Sequence, residues 1–206
     1  MNNPVHLDPD EIVQGRAFCH PTASESDVNT LEYMISRLRS IVIRNIKSAR
    51  THPQYLHLRD NDRAVHRIVV PDWRVLQQSK NVVAVGFFGQ TRPDVDHAPI
   101  MDLENELIDQ LPDTSGLLTY YNLYRPQHGY GNLVLFQSET SKDSWRDNKR
   151  HSLAVELTPK HYFSVRLHNG LISEGIMDDG EFRLVRTKYY DFESRPTWRA
   201  IREFSI

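Results

Sequence analysis

The order of predicted strands and helices in the second half of the chain restricts its fold more than any other feature. Residues 81–90 (NVVAVGFFGQ) are rich in β-branched and aromatic side chains, which is typical of a buried strand. Residues 117–125 and 132–137 predict two further strands, and the glycine-containing turn between them, residues 126–131, predicts that they form a hairpin. The alternating pattern of residues 162–168 predicts a fourth strand.

Two predicted helices lie between these strands. The first, at residues 99–111, begins at Pro99, ends before Pro112 and carries an apolar stripe of Ile100, Leu103, Leu107 and Leu111. The second is predicted at residues 141–157, ahead of the last strand. The resulting order, β-α-β-β-α-β, is that of the ferredoxin-like fold. In this α+β fold four antiparallel strands carry both helices on one face.

A long amphipathic helix is predicted near the start of the chain, at residues 27–49, with Ser26 or Asp27 as its N-cap. Its apolar residues recur at three- and four-residue steps, which is the spacing of one helix face. They are Val28, Leu31, Ile35, Leu38, Val42, Ile46 and Ala49. We expect this helix to pack on its own domain, and a partner helix is the alternative.

The rest of the N-terminal region carries weaker patterns. Residues 1–25 are predicted to be a loosely held arm, and residues 50–80 a polar connector with one β-like run at residues 66–70. We therefore divide the chain into two parts. Residues 1–75 hold the arm, the helical extension and the connector, and residues 76–206 hold the ferredoxin-like domain with a C-terminal extension.

The C-terminal extension is predicted to be a β-meander that enlarges the sheet. The dipeptide Asn169-Gly170 is the strongest hairpin signal in the chain, because a type I′ turn needs two residues that tolerate positive φ. Residues 171–177 and 181–190 are predicted to form a second hairpin about Asp179-Gly180. The tail, residues 191–206, is predicted to close the domain as a short helix or a cover.

The sheet has a second face, which also needs a cover. In the strand at residues 117–125 both alternating sets of side chains are partly apolar: Leu118, Tyr120, Asn122 and Tyr124 against Leu117, Thr119, Tyr121 and Leu123. An exposed apolar patch of that size marks an interface, so something is expected to pack on each face. The candidates are the sheet of another subunit and the helix at residues 27–49.

Composition excludes several classes of protein. The net charge of −2 gives no basic field for nucleic acid, and VAVGFFGQT lacks the basic residues that flank the aromatics of an RNA-recognition strand. The longest apolar runs fall far short of the about 20 residues of a membrane span. Cys19 is the only cysteine, so no internal disulfide forms. With no signal-peptide pattern at the start, we expect a cytoplasmic protein that binds neither nucleic acid nor membrane.

Residues 131–136 (GNLVLF), followed by SWRDNKRHSLAVELTP and then YFSVRLHNG, resemble the dimeric α+β barrel superfamily over about residues 80–175. This superfamily includes stress-responsive A/B barrel proteins and antibiotic-biosynthesis-type monooxygenases. The resemblance implies a homodimer in which two ferredoxin-like sheets form a barrel. It also implies a pocket between the sheet and its two helices. Known members include cofactor-free oxygenases, haem-binding or haem-degrading enzymes, cyclases and proteins of unknown activity, so haem is one candidate cofactor.

The helix at residues 141–157 carries an unusual set of side chains. At about 100° per residue one stripe contains Trp145, Asn148, His151, Ser152 and Val155. A helix that only packs on a sheet usually offers Leu, Ile and Val along its inner stripe. Polar groups that face inward must be hydrogen-bonded or must line a cleft. The stripe therefore predicts a pocket beside this helix.

His151 is the first candidate for chemistry, with Asn148 as a second catalytic group that orients the substrate. In such a pocket a neutral imidazole could act as a general base or as an axial haem ligand. The alternative is a histidine that is hydrogen-bonded at the seam between helix and sheet, or one that is exposed. Trp145 is expected to form a wall of the pocket, or to be plain core.

Further ligand contacts are predicted on the strands. Phe88 is a candidate wall, and Asn122 is a candidate orienting group. Tyr121 and Asn122 are neighbours on opposite faces of a strand, so only one of them can point at the helices. Arg166 could bind a carboxylate or a haem propionate, and His168 shares its face. The simpler alternatives are an interface hydrogen bond for Asn122 and a solvent-facing or interface-facing Arg166. No motif for a metal site occurs.

Two functions follow from these patterns. The first is a small-molecule enzyme or haem-binding protein, monooxygenase-like, with its pocket between the sheet and the helices. The second is a non-catalytic module for dimerisation or partner binding, in which the polar stripe is only a satisfied seam.

Overall fold

The computed structural model describes residues 3–45, 53–126, 129–178 and 180–204, which form one large sheet with helices on both faces. The strands are β1 (Val5–Leu7), β2 (Gln54–Arg59), β3 (Val65–Val70), β4 (Val82–Thr91), β5 (Leu117–Arg125), β6 (Gly129–Phe136), β7 (Tyr162–Ile172), β8 (Phe182–Asp191) and β9 (Trp198–Glu203). The helices are α1 (Pro21–Arg44), α2 (Trp73–Gln78), α3 (Ala98–Gln110), α4 (Glu139–Arg146) and α5 (Lys149–His161). None of the described helices is long and apolar enough to cross a membrane.

The centre of the sheet has the predicted α+β arrangement. Strands β7, β4, β6 and β5 are neighbours in that order and all pair antiparallel. Helix α3 connects β4 to β5, and helices α4 and α5 connect β6 to β7. This is the ferredoxin-like order. The described sheet nevertheless has nine strands, because β3 and β2 extend it beyond β5 while β8, β9 and β1 extend it beyond β7.

The β-like run predicted at residues 66–70 is confirmed as part of β3, but the polar connector predicted around it is wrong where the structure describes it, because it contains β2 and α2. Strands β2 and β3 form a hairpin, and β3 pairs with β5, so that Ile68 lies opposite Tyr121. Strand β2 is at the edge of the sheet, and its residues alternate between half-buried and exposed. Such an edge strand carries little apolar signal, which is why the sequence pattern did not reveal it. At the N-terminus, β1 in the predicted arm pairs in parallel with β9, the strand formed by the predicted tail.

Helix α1 begins earlier than predicted, because Pro21 occupies its first turn. Asp27 is therefore not an N-cap; it lies inside the helix and is buried. The helix ends at Arg44, and the predicted stripe residues Ile46 and Ala49 lie outside the described residues. The remaining stripe packs on the sheet, with Leu31 directly over Gly86, where a Cβ atom would lie 2.7 Å from Leu31 Cδ1. Of the two candidate covers, helix α1 is the one that covers this face.

The predicted single helix at residues 141–157 is two helices. Asn148 has an extended backbone (φ −64°, ψ 131°), and its side chain accepts hydrogen bonds from the backbone N–H groups of Arg150 and His151. Asn148 is thus the N-cap of α5, because a short polar side chain satisfies the first free N–H groups of a helix. The break at Asp147 and Asn148 changes the direction of the chain, so residues before and after it do not share one stripe.

The predicted turn at Asn169-Gly170 was also wrong, since β7 continues through it to Ile172. Gly170 pairs with Ala84, and the β7–β8 register shifts between Asn169 and Gly170. A Cβ atom on Gly170 would lie 2.3 Å from Phe182 Cε2, so the glycine permits close packing rather than a turn. The chain turns at residues 173–178 instead, and Asp179 of the predicted second turn lies outside the described residues.

Candidate functional site

The structure divides the predicted site residues between the two faces of the sheet. The first group faces helices α3 to α5 and consists of Trp145, Asn148, His151 and Asn122. The second group faces helix α1 and consists of Tyr121, Phe88, Arg166 and His168. No single pocket can therefore contain all of them.

The stripe predicted for His151 does not form. Asn148 is a helix cap, and the side chain of Val155 is 55% exposed. Trp145 is core, packed in a cluster with Tyr120 and other apolar side chains. The imidazole of His151 lies 5.4 Å from the Trp145 ring, and its Nδ1 is 3.3 Å from the backbone oxygen of Arg146. Burial lowers the pKa of His151, so the ring is neutral at neutral pH.

Asn122 belongs to a polar cluster between the sheet and α3, which we call the Glu104 cluster. Glu104 Oε1 accepts hydrogen bonds from Asn122 Nδ2 at 2.6 Å and from the Tyr120 hydroxyl at 3.1 Å. The Tyr130 hydroxyl lies within hydrogen-bond distance of both Glu104 Oε1 (2.9 Å) and Asn122 Oδ1 (2.6 Å). Asn132 Nδ2 donates to Asn122 Oδ1 at 2.7 Å.

The donors in the Glu104 cluster are all neutral. Burial raises the pKa of both Tyr120 and Tyr130 well above the ordinary value, and the nearby charge of Glu104 acts in the same direction. The phenols therefore stay protonated and donate to the carboxylate. This explains why an asparagine is placed in the middle of a strand: Asn122 satisfies an internal carboxylate.

On the opposite face, Asp27 of helix α1 binds two residues of β7. Arg166 donates to it in a bidentate pair, Nη2 to Oδ1 at 2.9 Å and Nε to Oδ2 at 2.5 Å. His168 Nε2 lies 2.8 Å from Asp27 Oδ2, and His168 Nδ1 lies 2.8 Å from the Thr187 hydroxyl. A carboxylate only accepts, so Nε2 carries the proton and Nδ1 accepts from Thr187. We call this set the Asp27 network.

Arg166 was predicted to bind a carboxylate of a ligand. In the structure the carboxylate that it binds belongs to Asp27 of the same chain. Burial lowers the pKa of His168, although its bond to Asp27 acts in the opposite direction. His168 is therefore a neutral, fully buried imidazole between a carboxylate and a hydroxyl. Among the described residues this network connects α1 to the sheet.

A second network holds the middle of α1. Asp60, which follows β2, accepts hydrogen bonds from the Tyr33 hydroxyl at 3.0 Å and from Arg37 Nη2 at 2.6 Å. His66 Nε2 is 3.1 Å from the same carboxylate, and His66 Nδ1 is 2.7 Å from the Tyr121 hydroxyl. Tyr121, a predicted ligand contact, is thus completely buried in this Asp60 network.

An open cleft of about 320 Å³ lies between the N-terminal half of α1 and the sheet, and we call it the α1 cleft. Its apolar surface comes from Phe18, Phe88 and Leu123. Phe88 can lie flat here because Gly131 has no side chain; a Cβ atom there would be 2.8 Å from the Phe88 ring. Polar groups at the cleft include Arg125, whose guanidinium lies 4.3 Å above the Tyr33 ring.

The α1 cleft contains two of the predicted ligand residues, Phe88 and Arg166, but not on the predicted side of the sheet. Sequence reasoning missed Asp27, which had been assigned as a cap, and Arg125, which ends a predicted strand. The only signal for Arg125 was its position directly before Pro126 at the end of an apolar strand. A charged residue there is also common in ordinary turns, so the signal was weak.

The sequence matches no protein-family model and no curated protein. Two solved structures show a distant likeness. One is a proposed monooxygenase from Fusobacterium nucleatum, at 12% identity and a TM-score of 0.41, matched over 64% of this chain and 52% of that one. The other is a ferredoxin-fold protein from Listeria monocytogenes related to antibiotic biosynthesis monooxygenases, at 13% identity and a TM-score of 0.34, matched over 58% and 86%.

The chain thus spans about half the length of the first of these proteins. The similarity is too low to transfer the role of any residue.

Proposed function

We propose that this chain binds a small molecule in the α1 cleft. The observation that carries the proposal is the cleft itself, which places the apolar side chains of Phe18 and Phe88 beside a larger number of polar groups at one end of α1. Ligand sites typically have volumes of about 300–1,000 Å³. The α1 cleft falls at the small end of that range, which favours a compact ligand.

The walls of the cleft are fixed in advance. Helix α1 forms one wall, and the Asp27 and Asp60 networks hold it at two separate points. Rigid walls reduce the ordering that a ligand must impose when it binds. The same contacts explain why residues that looked like ligand contacts, such as Arg166 and His168, are already bonded to protein groups.

Blocking the cleft tests the proposal. Ala23 lines the cleft from α1, so Ala23→Phe should fill it. Thr22, the preceding residue, is exposed and provides the matched control Thr22→Phe. A library of small molecules is screened by thermal shift and by NMR chemical-shift changes. We expect ligands that stabilise the wild type and the control but not Ala23→Phe. If no compound binds, or if Ala23→Phe binds as well as the wild type, the proposal is wrong.

Haem on the other face is a second candidate ligand, favoured by one observation at His151. Its Nδ1 faces the backbone oxygen of Arg146, which accepts only, so the lone pair of the neutral ring is on Nε2. Nε2 has no hydrogen-bond partner within the described parts of the chain, and a neutral imidazole is the form that binds haem iron. The surrounding side chains fit less well, because Trp145 occupies the space against the ring.

A haem titration followed in the visible spectrum tests this candidate. A Soret shift that His151→Ala removes would support it, and the exposed His57→Ala is the control. A monooxygenase-like reaction and a homodimer stay predictions of the resemblance. Solution mass tests the dimer, and the surface it would use is not the sheet face under α1.

A further inference from the structure

We infer that the ligand of the α1 cleft is a small carboxylic acid with an apolar body, and that Arg125 binds its carboxylate. This inference rests on the proposed function, since it concerns the same cleft. It starts from a difference between the hydrogen-bond acceptors and the donors at the cleft surface.

The carboxylate and amide oxygens at the cleft are already engaged. Both carboxylate oxygens of Asp27 accept from Arg166, and one also accepts from His168. The amide oxygen of Gln90 accepts from the Ser164 hydroxyl at 2.7 Å. A ligand that mainly donates hydrogen bonds, such as an amine, would therefore have to compete with these internal donors.

Donors, in contrast, are free. The guanidinium of Arg125 makes no hydrogen bond or ion pair to any residue that the structure describes, and its only described contact is the ring of Tyr33. The amide nitrogen of Gln90 likewise has no partner within the described segments, because its oxygen is the atom that Ser164 holds. A ligand that accepts hydrogen bonds would supply a partner for both the guanidinium of Arg125 and the amide nitrogen of Gln90.

The charge balance of the cleft agrees with this reading. Three charged side chains line it, Asp27, Arg125 and Arg166. Asp27 and Arg166 form a bidentate pair and compensate each other, so the charge of Arg125 is the one that has no counterion among the residues that the structure describes. An anion is therefore favoured even though the chain as a whole has a net charge of −2.

The shape of the donor selects a carboxylate. A guanidinium offers two parallel N–H groups that match the two oxygens of a carboxylate, and the Tyr33 ring 4.3 Å away restricts the positions that this guanidinium can take. Phe18 and Phe88, which are 9% and 8% exposed, offer a small apolar surface for the rest of the ligand. Inorganic phosphate would fill the anion position but would leave this apolar surface without a contact.

Isothermal titration with matched probes tests the inference. The probes are benzoate and hexanoate as acids, methyl benzoate as a neutral isostere, benzylamine as a cation, and inorganic phosphate. A hydrogen bond to a charged group contributes about 1.5–3 kcal/mol, which corresponds to a roughly 10- to 100-fold difference in Kd. We expect at least one acid to bind at least about tenfold more tightly than methyl benzoate, and neither benzylamine nor phosphate to bind comparably.

Variants of Arg125 then locate the carboxylate. Arg125→Gln should weaken acid binding by about tenfold or more, and Arg125→Lys should restore it only in part because it lacks the planar fork. Arg92 is the matched control, since its guanidinium also lies 4.4 Å above an aromatic ring, that of Phe163, away from the cleft. Arg92→Gln should leave acid binding unchanged. Thermal melting of each variant shows whether it is folded.

The outcomes separate the two proposals. If neutral compounds bind as well as acids and Ala23→Phe removes both, the cleft is a ligand site but the carboxylate inference is wrong. Acid binding that survives Arg125→Gln also overturns it, as does tighter binding of phosphate. If no acid and no library compound binds, the proposed function itself fails.

Discussion

The two faces of the sheet are packed in different ways. On the α1 face, carboxylates, guanidinium groups and imidazoles lie between the helix and the sheet. They are largely buried in the Asp27 network, whereas in the Asp60 network the side chains of Arg37 and Asp60 are 29% and 26% exposed. On the other face the core is built from leucine, phenylalanine and tryptophan, and its one described carboxylate, Glu104, is bound by neutral donors. Charge pairs therefore add to apolar packing in holding α1, whereas α3 and α4 are held mainly by apolar packing.

The helices themselves show the same difference. Helix α1 buries Ser24, Asp27, Leu31, Met34, Ile35, Leu38, Ile41 and Val42, whereas in α5 only His161 is buried. The helix that lies outside the ferredoxin-like order is thus packed more completely than one that belongs to it. A buried charge pair adds little net stability but penalises every arrangement that separates it, so α1 is held in one position.

The largest expected effect comes from breaking the Asp27 network. Asp27→Asn leaves the guanidinium of Arg166 buried without a counterion, and breaking a buried pair in this way costs about 3–5 kcal/mol. Glu104→Gln on the other face removes the same charge from neutral donors and should cost only about 1–3 kcal/mol. Urea denaturation measures both free energies of unfolding. Equal losses would mean that the two faces do not differ in this respect.

Packing of the two helices provides the next comparison. Leu31 is fully buried over Gly86, so Leu31→Ala should lower the free energy of unfolding by about 2–5 kcal/mol. Val155 in α5 is 55% exposed, and Val155→Ala should change it by no more than about 0.5 kcal/mol. A comparable loss in both variants would show that Val155 is packed as closely as Leu31.

Stability should fall as the pH is lowered. Burial lowers the pKa of His66 and His168 below their ordinary 6.5, so the unfolded chain binds protons first as the pH falls through that value. Folding therefore loses free energy below about pH 6.5, and the loss ends only below the lowered pKa values. Urea denaturation from about pH 7.5 to about pH 5.5 measures this slope.

Single histidine variants compare the faces. Burial also lowers the pKa of His151, which lies on the face that carries α3 to α5. The side chain of His151 is only half-buried, however, whereas that of His168 is fully buried. His168→Gln should therefore flatten the pH dependence more than His151→Gln. The opposite order would contradict the assignment of His168 as a neutral imidazole in the native state.

The smallest expected effect concerns Asn148. As an N-cap it should contribute about 1 kcal/mol, so Asn148→Ala should lose that amount and Asn148→Asp, which also caps helices, should recover most of it. A residue that binds a ligand would show a different pattern, with ligand affinity lost in both variants. Thermal melting and the haem titration on the same proteins distinguish the two roles.

The ferredoxin-like centre could be predicted because its signals are local. Strands β4 to β7 and helix α3 each show their own periodicity, and the order of elements then leaves few topologies. Two errors have different causes, a tertiary contact at Gly170 and a local cap at Asn148. The dipeptide Asn169-Gly170 favours a turn in isolation, but the ring of Phe182 needs the space above Gly170. Asn148 fits the helical spacing of residues 141–157, but its side chain caps α5 and the helix is interrupted there.

The site was harder to predict, because its contacts are distant in sequence. Alternation along β7 correctly placed Arg166 and His168 on one face. Their common partner, Asp27, lies 139 and 141 positions away in the chain, and no local pattern connects them. Among the described residues Arg125 has no hydrogen-bond partner, and this too depends on distant parts of the chain that no local pattern reveals. The type of residue therefore indicated a carboxylate partner for Arg166 but not that this partner is Asp27 of the same chain.

The position of α1 has a consequence for how the chain folds. The helix precedes every strand that it covers, and its ion pair with β7 closes a loop of 139 residues. Closing such a loop is slow, because entropy is lost before the contact forms. During synthesis α1 therefore gains its ion pair with β7 only after most of the sheet has been made, whereas its apolar stripe meets β3 and β4 earlier, at Ile68 and at Gly86. The first long helix of the chain is thus fixed in two stages, by apolar packing and later by charge.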